Sequence, residues 1–334
     1  MTRLLTICGH HQRHDRIGGA SLIHSELIKR LPAEMGDGWT TEVVPALQPI
    51  GRPSLRSRLL SDIPAATDLL LTTSTPLPFG AGKFRLMPIV YDVSWYWSDG
   101  KAYRLYRHAD LLRTARRASE ILTISGSSQA QIEALTRHQV PICPMPLGPG
   151  QFEGFEAAPA KDTQTILLMG RAAHKANELA AELLVQSSLV QREFRVVAVW
   201  VSSATERILR KGMSPSQIQI HGALSASRLA EVFTQADRYV ALGNSEGFGF
   251  PYVEAAYFGC DVIAPRIALT SEVLGEEGNY LSSSHPTVHE LEGAVLAWDE
   301  NRVGRMQRVS AQRTWKHTAL TVAQRIRAHF GESH

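Results

Sequence analysis

The chain has 334 residues, 35 Lys and Arg against 32 Asp and Glu, and a net charge of +3. That length is too great for one ordinary domain and suits two. The apolar runs ILLM, VVAVWV and LLL fall far short of the roughly 18 residues a membrane-spanning helix needs. Cys8, Cys143 and Cys260 are scattered, which argues against a disulfide framework or zinc site and fits a reducing cytoplasm.

The elements in chain order begin with MTRLLTICGHH, whose apolar run is too short for a signal peptide and reads as a first strand over 4–8. Strands are expected at 4–8, 41–44, 69–73, 86–91 and 121–125, with helices at 19–31, 103–119 and 127–138. The stretch MPLGPGQFEGFEAAPAKDTQ (145–164) has no periodicity and is rich in Pro, Gly and Ala, so it reads as a linker. Beyond it, strands are expected at 165–170, 194–201, 218–222, 239–242 and 261–265, with helices near 176–188, 205–211, 227–236 and 251–258. Strands that are apolar throughout, interleaved with amphipathic helices, imply parallel sheets covered on both faces. Trp315, Ala319, Val322, Ile326 and Phe330 form one apolar stripe of a terminal helix. The expectation is therefore an α/β chain of two doubly wound, Rossmann-like domains facing across a cleft. They span 1–148 and 163–313, with a linker at 149–162 and a helix at 314–334 packing across the domain junction.

Charge is uneven. Residues 1–150 carry +5 and the remainder −2. Arginines cluster in RPSLRSRLL (52–60) and YRLYRHADLLRTARR (103–117). A basic face can meet an anionic surface or substrate, or can be an ordinary solvated helix face. No nucleic-acid module signature is present, so no nucleic-acid partner is expected.

The segment GNSEGFGFPYVEAAYFG (243–259) lies between the strand YVAL and a helix. Pro251 suits a helix start and Gly259 a helix end. The turn then sits at the carboxyl edge of the second sheet, where such sheets bind ligands. Gly247 and Gly249 let backbone N–H groups approach a ligand, and a helix N-terminus favours phosphate. Glu246 falls on the turn and Glu254 about one helical turn inside. A phosphate by the helix start, a diol at Glu254 and a polyol at Glu246 describe a nucleotide-sugar. Spacing alone equally allows Glu246 as a turn residue and Glu254 as a helix-dipole partner.

SEGFGFPYVEAAYFGCDVIAP resembles the E-x7-E region of family 4 glycosyltransferases with the GT-B fold. MGRAAHKAN (169–177), ALTSEVLGEEGNYLS (268–282) and IGGAS (17–21) are similar to further family segments. YDVSWYW…ARRASEILTISGSSQAQI (91–132) resembles the corresponding part of mannosyltransferase-like members. The resemblance implies a retaining, metal-independent hexosyltransferase without a cofactor. Glu254 would hold the donor ribose, and Glu246 would contact the transferred sugar. Arg171 and Lys175 would neutralise the leaving diphosphate. The backbone of Gly247, Phe248, Gly249 and Phe250 would cradle phosphate and sugar. Gly18 and Gly19 would bring the first domain's loop to the donor.

The family's usual His-Asp is here Tyr91-Asp92, where Tyr91 can still donate a hydrogen bond and Asp92 can orient an acceptor hydroxyl. Trp95 either stacks on an acceptor or packs. His11, with His10 and His14 in GHHQRHD, either touches acceptor or phosphate or lies in an inert loop. Their spacing matches no metal-ligand set. The implied partners are a nucleotide-sugar, with GDP-mannose favoured, and a glycan or lipid-linked acceptor in surface polysaccharide synthesis. Peripheral contact with the anionic inner face of the cell membrane would use the basic first half. Two rivals are a nucleotide-sugar epimerase on the same fold and a non-catalytic basic binding protein.

Overall fold

The computed structural model describes residues 2–9, 19–45, 63–72, 83–93, 95–98, 100–155, 164–297, 301–311 and 313–332. Gly18, His10, His11, His14, the arginine cluster at 52–60 and residues 156–163 of the expected linker lie outside them. The chain divides into two units, Met1–Gly148 with Trp315–His334, and Pro149–Thr314.

In the first unit, β1 (Arg3–Gly9) pairs in parallel with β2 (Trp39–Pro45) and β3 (Leu69–Thr72), and β3 pairs with β4 (Arg85–Pro88). Leu5, Ile7, Leu69 and Leu71 are all 0% exposed, as expected for strands covered on both faces. The helix α1 (Gly19–Met35) buries Ile23, Leu27, Leu31 and Met35, a stripe spaced by four. After β4 come α2 (Trp95–Ser98), α3 (Lys101–Arg117), β5 (Ile121–Thr123), α4 (Gly126–Thr136) and β6 (Ile142–Pro144). Ile89 bridges Leu122, and the Val90 N–H donates to the Leu122 carbonyl at 2.8 Å. Among the described residues the strands therefore follow one another as β2-β1-β3-β4-β5-β6. The α4 start is held by Ser125 Oγ, which accepts the Ser128 N–H at 3.0 Å.

The second unit contains β7 (Thr165–Met169), α5 (Asn177–Gln186), α6 (Val190–Glu193), β8 (Arg195–Val199), α7 (Ser203–Gly212) and β9 (Ile218–His221). It continues with α8 (Ala226–Gln235), β10 (Arg238–Val240), α9 (Phe250–Tyr257), β11 (Asp261–Pro265), α10 (Ala268–Leu274), β12 (Asn279–Leu281), α11 (Val288–Leu296) and α12 (Arg302–Ala311). The sheet is parallel with order β12-β11-β10-β7-β8-β9. The chain thus winds outward from β7 in one direction, then from β10 in the other. The point where winding reverses lies between β7 and β10, and all strands end at one edge. Ile166, Leu168, Val196, Ala198, Val240 and Ile263 fill the core beneath. At the opposite edge Asp237 accepts the Thr165 N–H at 2.8 Å and pairs with Arg238, while Asp261 meets Arg305 at 3.1 Å.

One boundary differs from expectation. Pro149–Phe155, expected as the start of a linker, is folded into the second unit. Phe152 is 0% exposed and meets Phe258 and Phe233 edge-on at 5.1 and 5.7 Å, so burial of one aromatic ring anchors the segment. The last helix, α13 (Trp315–Ala328), follows the second unit in the chain but groups with the first. Its stripe of Trp315, Ala319, Val322 and Ile326 is buried. Gly148 lies against the Trp315 ring, so close that a Cβ there would sit 2.6 Å from it. Thr318 Oγ1 donates to the Pro146 carbonyl at 2.5 Å. Arg325 pairs with buried Glu120, and Phe330 lies between the guanidiniums of Arg3 and Arg85. A stripe announces that a face is buried; only the folded chain shows against what.

Candidate functional site

The winding reversal between β7 and β10 is where an open parallel sheet parts its crossing helices and leaves room for a ligand. After β7, Gly170 turns the chain with φ +100°, and its N–H donates to the Val199 carbonyl at 3.1 Å. The loop runs through Arg171 to a short 3₁₀ turn, Ala173–Lys175. It closes at Ala176, which takes the left-handed region at φ 53°. The buried Asn177 clamps it, donating through Nδ2 to the carbonyls of Met169 at 2.9 Å and Gly170 at 2.6 Å. From β10 the chain passes Gly243, where a Cβ would lie 2.6 Å from the His174 carbonyl oxygen and 3.3 Å from Lys175 Cα. The two loops touch because residue 243 has no side chain. Lys175 then folds across Gly170 and its Nζ forms an ion pair with Glu246 Oε1, with side chains 19% and 12% exposed.

Beyond Glu246, Gly249 caps α9 in the left-handed region at φ +78°, against the Tyr252 ring. Pro251 stands in the first turn, where a missing N–H is tolerated. Phe248 is buried, with Phe250 edge-on at 5.0 Å and the Arg313 guanidinium over it at 5.5 Å. Glu254 is 6% exposed. Its carboxylate accepts the Gln151 N–H at 3.4 Å and lies directly against Gly150, where a Cβ would come within 2.5 Å of it. Burial pushes its carboxyl up to about 7, against smaller downward pulls from the Gln151 N–H and the Lys175 charge. Burial likewise raises the phenols of Tyr252 and Tyr239, and the Glu246 charge adds to both shifts. Arg171 is exposed on the β7 loop.

This cluster has the parts to hold an activated sugar. An exposed guanidinium and a half-buried ammonium can neutralise a diphosphate. A helix N-terminus with glycine-rich backbone lies beside them. A recessed carboxylate one helical turn inward can accept hydrogen bonds from a diol. Among the described residues no three His, Cys, Asp or Glu side chains gather as metal ligands.

The structure brings together Arg171, Lys175, Glu246, Glu254 and the Gly247–Phe250 backbone in the second unit. In the first unit, Gly19 opens α1, and Tyr91 Oη donates to the Ala20 carbonyl at 3.2 Å. Gly19, Tyr91 and the half-buried Asp92 therefore share one corner of that unit. Of the two readings of Trp95, the burial of its ring fits packing. It is 8% exposed, packed with Val93, Leu111 and Ile132 under the Arg107 guanidinium at 5.4 Å, so packing is its role. Sequence reasoning missed Gly243, Asn177, Gly150 and Gln151. The GPG run at 148–150 was a signal for the last two, read there as linker.

Residues 155–315 match the family described as Glycosyl transferases group 1. No curated protein matches the chain in sequence. Among solved structures, the sucrose-phosphate synthase of Thermosynechococcus elongatus superposes with a TM-score of 0.72 at 15% identity, covering 99% of this chain and 100% of that one. WaaG, a glycosyltransferase involved in lipopolysaccharide biosynthesis, gives 0.66 at 13%, covering 96% and 99%. The Anabaena protein HepE, in complex with UDP and glucose, gives 0.65 at 13%, covering 98% and 99%. At such identities the superpositions establish the fold, two Rossmann-like parallel-sheet domains of the GT-B kind. The chain thus has the GT-B fold, and its residues 155–315 are similar to the Glycosyl transferases group 1 family.

The raised Glu254 carboxyl predicts a pH signature. The folded state holds this proton up to about pH 7, whereas the unfolded chain releases it near 4.5. Stability therefore falls as pH rises through that window and is level above it. Glu254→Gln removes the penalty. Its stability gain over the wild type, read by urea unfolding of the ligand-free protein, should be larger at pH 8 than at pH 5 by about 2–3 kcal/mol. A gain that does not change with pH would contradict the assignment.

Proposed function

We propose that this protein is a glycosyltransferase that moves a hexose from a nucleotide-sugar to a glycan or lipid-linked oligosaccharide in surface polysaccharide synthesis, with retention at the anomeric carbon and without a metal. The observation that carries this reading is the Lys175–Glu246 pair at the winding reversal, with Glu254 recessed one helical turn behind it. GDP-mannose is the donor favoured by the resemblance of residues 91–132 to mannosyltransferase-like chains. A UDP-sugar stands second, because the solved HepE complex holds UDP and glucose.

The roles follow from charge and position. Glu254 accepts hydrogen bonds from the ribose hydroxyls. Arg171 and Lys175 hold the diphosphate, where negative charge grows as the sugar departs. Before the donor arrives, Glu246 keeps the Lys175 ammonium in place; when diphosphate takes over that cation, Glu246 is released to position the sugar. The acceptor hydroxyl attacks C1 from the face that the diphosphate leaves. The C1–O bond to phosphate breaks, the new C1–O bond forms, and a departing phosphate oxygen takes the acceptor's proton. Asp92 orients the acceptor hydroxyl, and Tyr91 and Gly19 shape the corner beside it. Lys175→Ala, Arg171→Ala and Glu246→Ala should each lower kcat/KM about 100-fold or more, as removal of a charge-stabilising group does, without loss of fold. The donor for the assay comes from a thermal-shift screen of GDP, UDP, dTDP and their sugars. Near-normal transfer by all three variants would refute the assignment.

The first unit supports peripheral contact with an anionic membrane at the cytoplasmic face. Helix α3 exposes Tyr103, Leu105 and Tyr106, at 45, 72 and 42%. Lys101, Arg116 and Arg117 are exposed on the same helix, and its one acid, Asp110, is buried. Aromatic and aliphatic side chains among basic ones match an anionic headgroup layer. Among the described residues no helix is long and apolar enough to cross a membrane. The triple change Tyr103→Ser, Leu105→Ser and Tyr106→Ser should weaken sedimentation with phosphatidylglycerol vesicles while leaving the melting temperature unchanged. Equal sedimentation of variant and wild type would count against this surface.

A further inference from the structure

The strand β8 was expected to run to residue 201 but ends at Val199, and the next residue breaks out of it. Trp200 takes the left-handed region at φ 51°. For a bulky side chain that is a strained conformation, kept only where the surroundings enforce it. They do so here. The Trp200 N–H donates to the His221 carbonyl at 2.8 Å, and the Gly170 N–H takes the Val199 carbonyl at 3.1 Å. The result is an indole-bearing residue left 47% exposed at the carboxyl edge of the sheet. Nearly half of the surface of this residue is thus left open to a ligand.

Its position follows from the register. Val199 pairs with Met169 on β7 and with His221 on β9. Trp200 therefore stands level with Gly170, one strand spacing (~4.8 Å) from the start of the Arg171–Lys175 loop. A nucleoside diphosphate whose phosphates lie against Arg171 and Lys175 would bring its base to Trp200 by lying along this edge toward β8. The other aromatic rings there are engaged. Phe248 and Phe250 pack on each other, and Tyr280 lies under the Arg266 guanidinium at 5.0 Å with its hydroxyl donating to the Gly275 carbonyl at 2.6 Å. Trp200 is the ring on this edge, among the described residues, that has no ring or cation partner of its own.

Resting on the donor reading above, we propose that Trp200 is the platform on which the aromatic base of the nucleotide donor stacks, and so a determinant of donor affinity. Stacking on an exposed ring is tolerant of base identity, so the residue sets the strength of base binding and leaves the choice among bases to neighbouring groups.

The test is calorimetric titration of wild type, Trp200→Gly and Trp200→Phe with UDP, GDP, dTDP and ADP, and with inorganic pyrophosphate as a base-free probe. Glycine accepts φ 51° without strain, so Trp200→Gly should keep or raise the melting temperature. Phenylalanine retains a ring. For each nucleotide that the wild type binds, Trp200→Gly should weaken binding about tenfold or more. Trp200→Phe should stay within about threefold of the wild type, and pyrophosphate affinity should be the same in all three. Unchanged nucleotide affinity in a folded Trp200→Gly, or an equal loss for pyrophosphate, overturns the platform while leaving the donor reading intact. A wild type that binds none of the nucleotides overturns both.

Discussion

At Gly243 the backbone of one loop rests against the His174 carbonyl of another, and the arrangement of the candidate site in the second unit depends on that contact. The loops leave β7 and β10, neighbours in the sheet that are far apart in the chain. Between them the winding changes direction, so no crossover helix covers the gap. A side chain at 243 would drive the loops apart. Its absence brings Lys175 within reach of Glu246, and the other loop features reinforce the approach. Gly170 supplies the turn over which Lys175 folds, and Asn177 ties the returning helix to the strand end. Lys175 thus owes its place to the backbone contact at Gly243 and to its ion pair with Glu246 together.

The same edge concentrates cost. Ala176 and Trp200 sit in the left-handed region, which costs a non-glycine residue on the order of 1–3 kcal/mol. Glu254 is a carboxyl buried in a setting that favours its neutral form. These are features that a sheet designed only for stability would lack. They are sustained by the apolar core beneath and by the ion-pair network at the opposite edge, around Asp237 and Asp261. A nucleotide-sugar would offset two of them at once, giving Glu254 hydroxyl donors and Trp200 a stacking partner. The ligand-free molecule is therefore pre-organised at a cost that ligand binding would recover.

Much of this was legible beforehand. Runs such as ILLM and VIAP are apolar in every position, so their strands and parallel pairing could be read directly. Glu246, Glu254, Gly249 and Pro251 lie in one contiguous segment whose local chemistry dictates a turn followed by a helix. What could not be read was tertiary. The partner of Glu254 is Gly150, more than a hundred residues earlier, in a Pro- and Gly-rich stretch that local composition assigns to a linker. Residues β6 and β12 use are few and include Pro144 and Asn279, so no strand signal rises above background. The stripe on α13 declared a buried face without naming the first unit as its partner. Tyr91 was read as a hydrogen-bond donor, but its acceptor, the Ala20 carbonyl, is set by how α1 meets the sheet. Trp200 looked like the continuation of an apolar strand, since nothing in VVAVWV marks where pairing stops.

The most direct measurement of the central claim uses a single added methyl group. Gly243→Ala should displace the His174–Lys175 backbone while the sheet beneath stays folded, as judged by circular dichroism. The account predicts that the variant loses most of its affinity for the nucleoside diphosphate that the wild type binds, read by calorimetry. Wild-type affinity in a folded Gly243→Ala protein would show that loop contact does not build the site, and would contradict the account.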